Sequence, residues 1–147
     1  MVLSLRKGKT FEREVDHLLD KITDGAKWFR TSGSGAMHTA QGIEDHRYKG
    51  DLFCEDPRFA KVLVECKIQR KPINLQDLNN PKSNWNAWLK QTREESGDLF
   101  WLLFFRWNAG DLLMAANTVD MTLLKTMFDV PIQVVLQREG LTIVTFG

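Results

Sequence analysis

Hydrophobic positions repeat along the chain with two periods, and the switches between them mark out the elements. Phe11, Val15, Leu18, Leu19 and Ile22 fall on one stripe at helical spacing, so the first segment reads as an amphipathic helix with one face in a core. Thr10 is its expected N-cap and Gly25 its expected stop. A short strand over residues 26–30 runs into the loop Thr31-Ser32-Gly33-Ser34-Gly35. Residues 36–48 follow neither period and read as a long polar loop, a length that points to function.

Residues 50–68 read as a hairpin, with strands near 50–54 and 60–68 joined through Glu55-Asp56-Pro57-Arg58. Pro57 suits the turn and could not donate a hydrogen bond in a central strand. Alternation divides the second strand into two faces. Val62, Val64, Cys66 and Ile68 are expected in the core, with Lys61, Leu63, Glu65 and Lys67 on the opposite side. Farther along, Trp85, Trp88 and Leu89 belong to a helix near 83–96 that Gly97 stops. Residues 99–107 (LFWLLFFRW) form an apolar run of strand length, the mark of a strand buried on both faces. A strand near 112–116, a short helix near 119–128 and strands near 131–137 and 141–146 complete the chain. The order α-β-β-β-α-β-β-α-β-β predicts a mixed central β-sheet flanked by helices, an α/β (α+β) fold.

With no repeat and no linker, residues 1–147 read as a single domain. No apolar run approaches the ~20 residues that span a bilayer. The opening MVLSLRKGKT lacks the apolar length and cleavage site of a signal peptide, so no membrane role is expected. Cys54 and Cys66 have no metal-ligand spacing and read as small core residues in a reducing, cytoplasmic setting. Net charge is only +1, but it is unevenly spread. Residues 1–93 hold 17 Lys and Arg against 12 Asp and Glu, and residues 94–147 hold 3 against 7. A basic first part can present one face to an anionic polymer.

If the hairpin is symmetric about Arg58, Asp51 lies directly across from Glu65, with Cβ atoms about 4.5–5.5 Å apart. Two carboxylates at that distance repel, raising one pKa, unless a cation sits between them. Mg²⁺, with carboxylate and water ligands, suits such a pair. With Lys67 on the same face, these are parts for hydrolysing a phosphodiester. The metal acidifies a water and neutralises phosphoryl charge, and the ammonium orients water or holds the phosphate. The same spacing also fits a cross-strand salt bridge of Lys67 or Lys61 with either acid on a solvated face.

Gly50-Asp51, thirteen intervening residues and Glu65-Cys66-Lys67 resemble the motif of the PD-(D/E)XK nuclease superfamily, with Lys49-Gly50 in place of its proline. Two further matches, in the same order, are with archaeal-type Holliday junction resolvases. Residues 7–14 (KGKTFERE) resemble their first-helix signature KGxxxERE, and Arg30-Thr31-Ser32-Gly33-Ser34-Gly35 resembles their Ser/Gly loop. The resemblance implies a restriction-endonuclease-like fold and a Mg²⁺-dependent endonuclease in which Mn²⁺ substitutes, with no organic cofactor. It implies Asp51, Glu65 and the backbone carbonyl of Cys66 as metal ligands and Lys67 as the catalytic lysine. Glu12 matches the helix glutamate that supports the metal site; helical geometry alone does not choose between Glu12 and Glu14. Ser32 or Ser34 would contact the scissile phosphate. Arg13 matches a basic residue near DNA, and Lys7, Lys9, Arg30, Arg47, Lys49, Arg70 and Lys71 are the other candidate DNA contacts.

The implied substrate is DNA, four-way junctions above all, cut by paired nicks, and two nicks imply a symmetric homodimer. The stretch from Gly35 to Asp51 is longer than in the archaeal pattern, and His38, His46, Arg47 and Lys49 make it basic. The two histidines read as exposed polar residues rather than ligands. Gln91 resembles the polar residue that some relatives carry after the motif, but a plain surface glutamine is the favoured reading. Trp85, Trp88 and Trp101 read as core or dimer interface rather than base-stacking groups. A nicking, repair or restriction-type nuclease on other DNA is the near alternative. A DNA-binding module with an inert site is the distant one, and its mark would be loss of Asp51, Glu65 or Lys67, all of which are present.

Overall fold

A computed structural model describes residues 2–31, 50–75, 82–108 and 110–146, with residues 2–7 as backbone only. Helix α1 (Val2–Ile22) leads into strands β1 (Trp28–Arg30), β2 (Leu52–Cys54) and β3 (Val62–Gln69). Then come α2 (Asn84–Ser96), β4 (Phe100–Trp107), β5 (Leu113–Asn117), α3 (Met121–Met127), β6 (Ile132–Arg138) and β7 (Leu141–Phe146). This is the order the periodicities predict. Among the described residues the strands form one sheet in the order β1-β2-β3-β4-β5-β7-β6. Only β3 and β4 run parallel; a parallel pair needs a long crossover, and α2 lies in it.

Strand β4 explains why helices cover both sides. Its Leu102 and Phe104 join a cluster with Phe11, Val15, Leu19 and Ile22 of α1 and Met121 and Leu124 of α3. Its Trp101, Leu103 and Phe105 join a second cluster with Trp85 and Leu89 of α2. Each large side chain so buried contributes on the order of 1.5–3 kcal/mol. Strand β3 shares this double burial: Val62, Val64 and Cys66 face α1, and Leu63 faces α2. The alternative of a solvated second face on β3 does not hold around Leu63 and Glu65, because α2 returns over them. Trp85 and Trp101 are core residues, and Cys54 and Cys66 are buried free thiols.

Helix α1 also differs from expectation at its start. It begins at Val2, so Thr10 lies inside it and caps nothing. Gly8 does not interrupt it, since the space around its α-carbon is open and the cost is only its intrinsic propensity, about 1 kcal/mol. The expected stop holds: Gly25 sits at φ +78 just beyond the helix end. No helix among the described residues is long and apolar enough to cross a membrane.

Pro57–Phe59 form one turn of 3-10 helix between β2 and β3, and the Arg58 N–H donates to the Asp56 side chain at 2.9 Å. This compact link sets the register, in which Leu52 pairs with Val64. Replacing Phe104 with Ala would open a cavity in the fully buried layer between α1 and the sheet. The expected loss is about 3–5 kcal/mol, read as a lower urea midpoint with an unchanged m-value.

Candidate active site

Asp51 stands one residue before β2 and is held by its own backbone. Its N–H donates to Val64 O at 2.8 Å, and its carbonyl accepts from Thr31 N–H at 2.9 Å. With Leu52 opposite Val64, the antiparallel register sets Asp51 opposite Glu65, as the symmetric hairpin predicts. Gly50 makes this approach possible. It sits at φ +83, and a Cβ there would come within 2.6 Å of Val64 O. Proline, locked near φ −65°, cannot occupy that position, which accounts for the missing proline of the motif. The Asp51 carboxylate then accepts the Cys66 N–H through Oδ2 at 2.7 Å.

Glu65 is 4% exposed, an unusual place for a carboxylate. The carboxyls of Glu95 and Asp51 lie close to it. Burial first, then the adjacent Glu95 carboxyl and the charge of Asp51, push its pKa up to about 10. Burial also raises Asp51, against the Cys66 N–H and the charge of Lys67. Acids packed this closely share a proton or take a cation. The donors are hard oxygens suited to Mg²⁺. Asp51 and Glu65, with the Cys66 carbonyl nearby in the chain, are the groups that would hold it. Among the described residues no three His, Cys, Asp or Glu side chains are grouped as a metal cage. The Cys66 thiol itself, raised well above its usual range by burial, is a poor ligand.

Lys67 follows on the same face of β3, and its Nζ donates to Gln91 Oε1 at 3.0 Å. Gln91 Nε2 in turn donates to Glu95 Oε1 at 3.1 Å. Helix α2 therefore supplies two polar groups to the site. Gln91 is an exposed glutamine, as expected, that bridges Lys67 and Glu95. Glu95 went unnoticed in the sequence; its signal was the four-residue spacing from Gln91, which puts both on one helix face.

Helix α1 brings Glu12. It pairs with Arg30 Nε at 3.5 Å, and its pKa is raised by burial and by the charge of Asp51, against Arg30. Glu14 turns elsewhere: both its oxygens accept from the Arg106 guanidinium, at 2.8 and 2.9 Å. Of the two glutamates that helical geometry left open, Glu12 lies within reach of the Asp51 charge and Glu14 is engaged by Arg106. Lys9, Arg13, Arg70 and Lys71 are exposed. Ser32, Ser34, His38, His46, Arg47 and Lys49 lie outside the described residues, as does the side chain of Lys7.

Residues 4–139 match the model of a family described as "Phage putative PDDEXK endonuclease". The chain belongs to this family. No curated protein and no solved structure matches it. The PDDEXK endonuclease match runs from α1 to the end of β6, so Glu12, Asp51, Glu65, Lys67, Gln91 and Glu95 all lie within it.

Two outcomes follow for this PDDEXK endonuclease. Gly50→Ala adds a positive-φ penalty on the order of 1–3 kcal/mol to a clash with the Val64 carbonyl, and a lower denaturation midpoint is the measurement. The second concerns pH. Glu65 is raised in the fold, so its contribution to stability is full below its ordinary 4.5 and is lost as pH climbs toward about 10. In chelator, the thermal midpoint of the wild type should fall from about pH 5 to about pH 9 more steeply than that of Glu65→Gln. Mg²⁺ should reduce the wild-type fall.

Proposed function

We propose that this endonuclease cuts branched DNA, four-way junctions in preference to linear duplex, by hydrolysing one phosphodiester per active site. The observation that carries the hydrolytic reading is the register that sets Asp51 against Glu65, with Lys67 next on the same face. The junction reading rests on the likeness of the KGKTFERE helix and the Ser/Gly loop to archaeal-type resolvases.

Asp51, Glu65 and the Cys66 carbonyl hold Mg²⁺, with Mn²⁺ as a substitute of the same oxygen preference. Bound there, the ion supplies Lewis acidity and charge neutralisation at the phosphate. Lys67 orients the attacking water or holds a phosphate oxygen, its ammonium already aimed by Gln91. Glu12 adds negative charge beside Asp51 while paired with Arg30. Ser32 or Ser34 contacts the phosphate. The exposed Lys9, Arg13, Arg70 and Lys71, together with Lys7, Arg47 and Lys49, hold flanking phosphates. Arg30 divides between Glu12 and DNA.

Paired nicks require two sites, hence a symmetric homodimer. Of the large exposed apolar residues among those described, Val119, Leu123, Val134 and Val135 fall in the less basic later part of the chain and supply surface for it, and Phe29 lies in the earlier part. Free cysteines agree with action in a reducing host cytoplasm. The extra length between Gly35 and Asp51 favours a second reading, nicking or restriction-type cleavage of other DNA.

A panel of junction, flap, nicked and linear duplex DNAs, with Mg²⁺ or with chelator, separates these readings. Symmetric nicks confined to the junction are the expected result, and equal cutting of linear duplex would refute it. Asp51→Asn should lower cleavage by at least about 100-fold, the order of one lost transition-state charge contact, while leaving DNA binding in a gel shift. Undiminished cleavage by that variant would overturn the mechanism.

A further inference from the structure

Lys67 and Glu65 flank Cys66 and share the face of β3 opposite to it, the face that α2 covers. Their contacts lead to the helix above. Lys67 Nζ donates to Gln91 Oε1 at 3.0 Å, and Gln91 Nε2 donates to Glu95 Oε1 at 3.1 Å. The Glu95 carboxyl in turn lies close to Glu65, beside which Asp51 accepts the Cys66 N–H.

An amide is suited to the middle of such a chain. Its oxygen can only accept and its nitrogen only donate, so a cation on one side and a carboxylate on the other fix its orientation. Both bonds are charge-assisted and therefore stronger than neutral ones. Gln91 and Glu95 are four residues apart on α2, so one helix turn presents both together. The helix is itself anchored, through buried Trp85 and Leu89 against Trp101, Leu103 and Phe105 of the sheet. A lysine has four rotatable carbons and no intrinsic aim; Gln91 supplies the aim.

We infer that Gln91 and Glu95 are positioning residues of the nuclease site: Gln91 directs the Lys67 ammonium, and Glu95 holds Gln91 in the orientation that does so. The inference rests on the hydrolytic reading of Asp51, Glu65 and Lys67. Neither α2 residue touches the reacting atoms; both act through β3. Their effect therefore falls on turnover rather than on DNA affinity, and the two share one pathway.

The test uses the full chain and four variants, Gln91→Ala, Glu95→Ala, Glu95→Gln and the double Gln91→Ala/Glu95→Ala. Each single alanine variant should lower kcat about 10–100-fold, the usual effect of losing a group that orients a site ligand, with KM for DNA unchanged. The double variant should be no worse than the poorer single one, since both break the same chain. Glu95→Gln, which still accepts from Gln91, should recover most of the activity. An activity-independent reading comes from carbon-13 relaxation at the Lys67 side-chain methylenes of the metal-free protein. The order parameter should drop in both alanine variants and return in Glu95→Gln. Unchanged Lys67 order, or additive losses in the double variant, would overturn the inference. If the wild type cuts no DNA at all, the hydrolytic reading falls, while the Lys67 comparison still decides whether α2 aims the lysine.

Discussion

Three hydrogen bonds hold Asp51 where the site needs it. Its N–H reaches Val64 on β3, its carbonyl accepts from Thr31 beyond β1, and its carboxylate accepts the Cys66 N–H. The first two are backbone bonds and fix the Asp51 main chain opposite Glu65, and the third holds the carboxylate itself on the Cys66 N–H. Gly50 permits the close approach, because any Cβ there would collide with the Val64 carbonyl. The repulsion of two acids is thus imposed by backbone pairing and relieved only by a shared proton or a cation. A divalent ion would relieve that repulsion, and the proposed hydrolytic site at this corner of the sheet draws on it.

The rest of the molecule supports the same corner from two sides. Helix α1 packs on the Val62, Val64 and Cys66 face and sends Glu12 toward Asp51. Helix α2 packs over Leu63 and sends Gln91 and Glu95 toward Lys67 and Glu65. Burial on both faces lowers the local polarisability around Glu65, so charge there weighs more than it would in water. The Arg106 pair with Glu14 has a different task, tying α1 to β4 away from the acids.

Much of this was legible in one dimension. The equal spacing of Asp51 and Glu65 about Arg58 gave their opposition, because a compact turn with Pro57 leaves little freedom in register. The apolar run of β4 announced burial on both faces. The beginning of α1 was misread at Thr10, since a helix docked by Phe11 and Val15 extends backward over residues with no strong signal of their own. Glu95 was missed for a related reason: an exposed helix carboxylate looks like any other until the strand beneath it is known.

Periodicity and turn chemistry, which depend on neighbours a few residues apart, decided the element order, the hairpin and the carboxylate pair. Which helix closes over the second face of β3, which glutamate of α1 turns inward and which side chains aim Lys67 depend on residues 24 to 92 positions apart meeting in space. Local pattern carries no record of such meetings. Packing of α1 and α2 against the sheet made those choices, because only there do burial and charge act together.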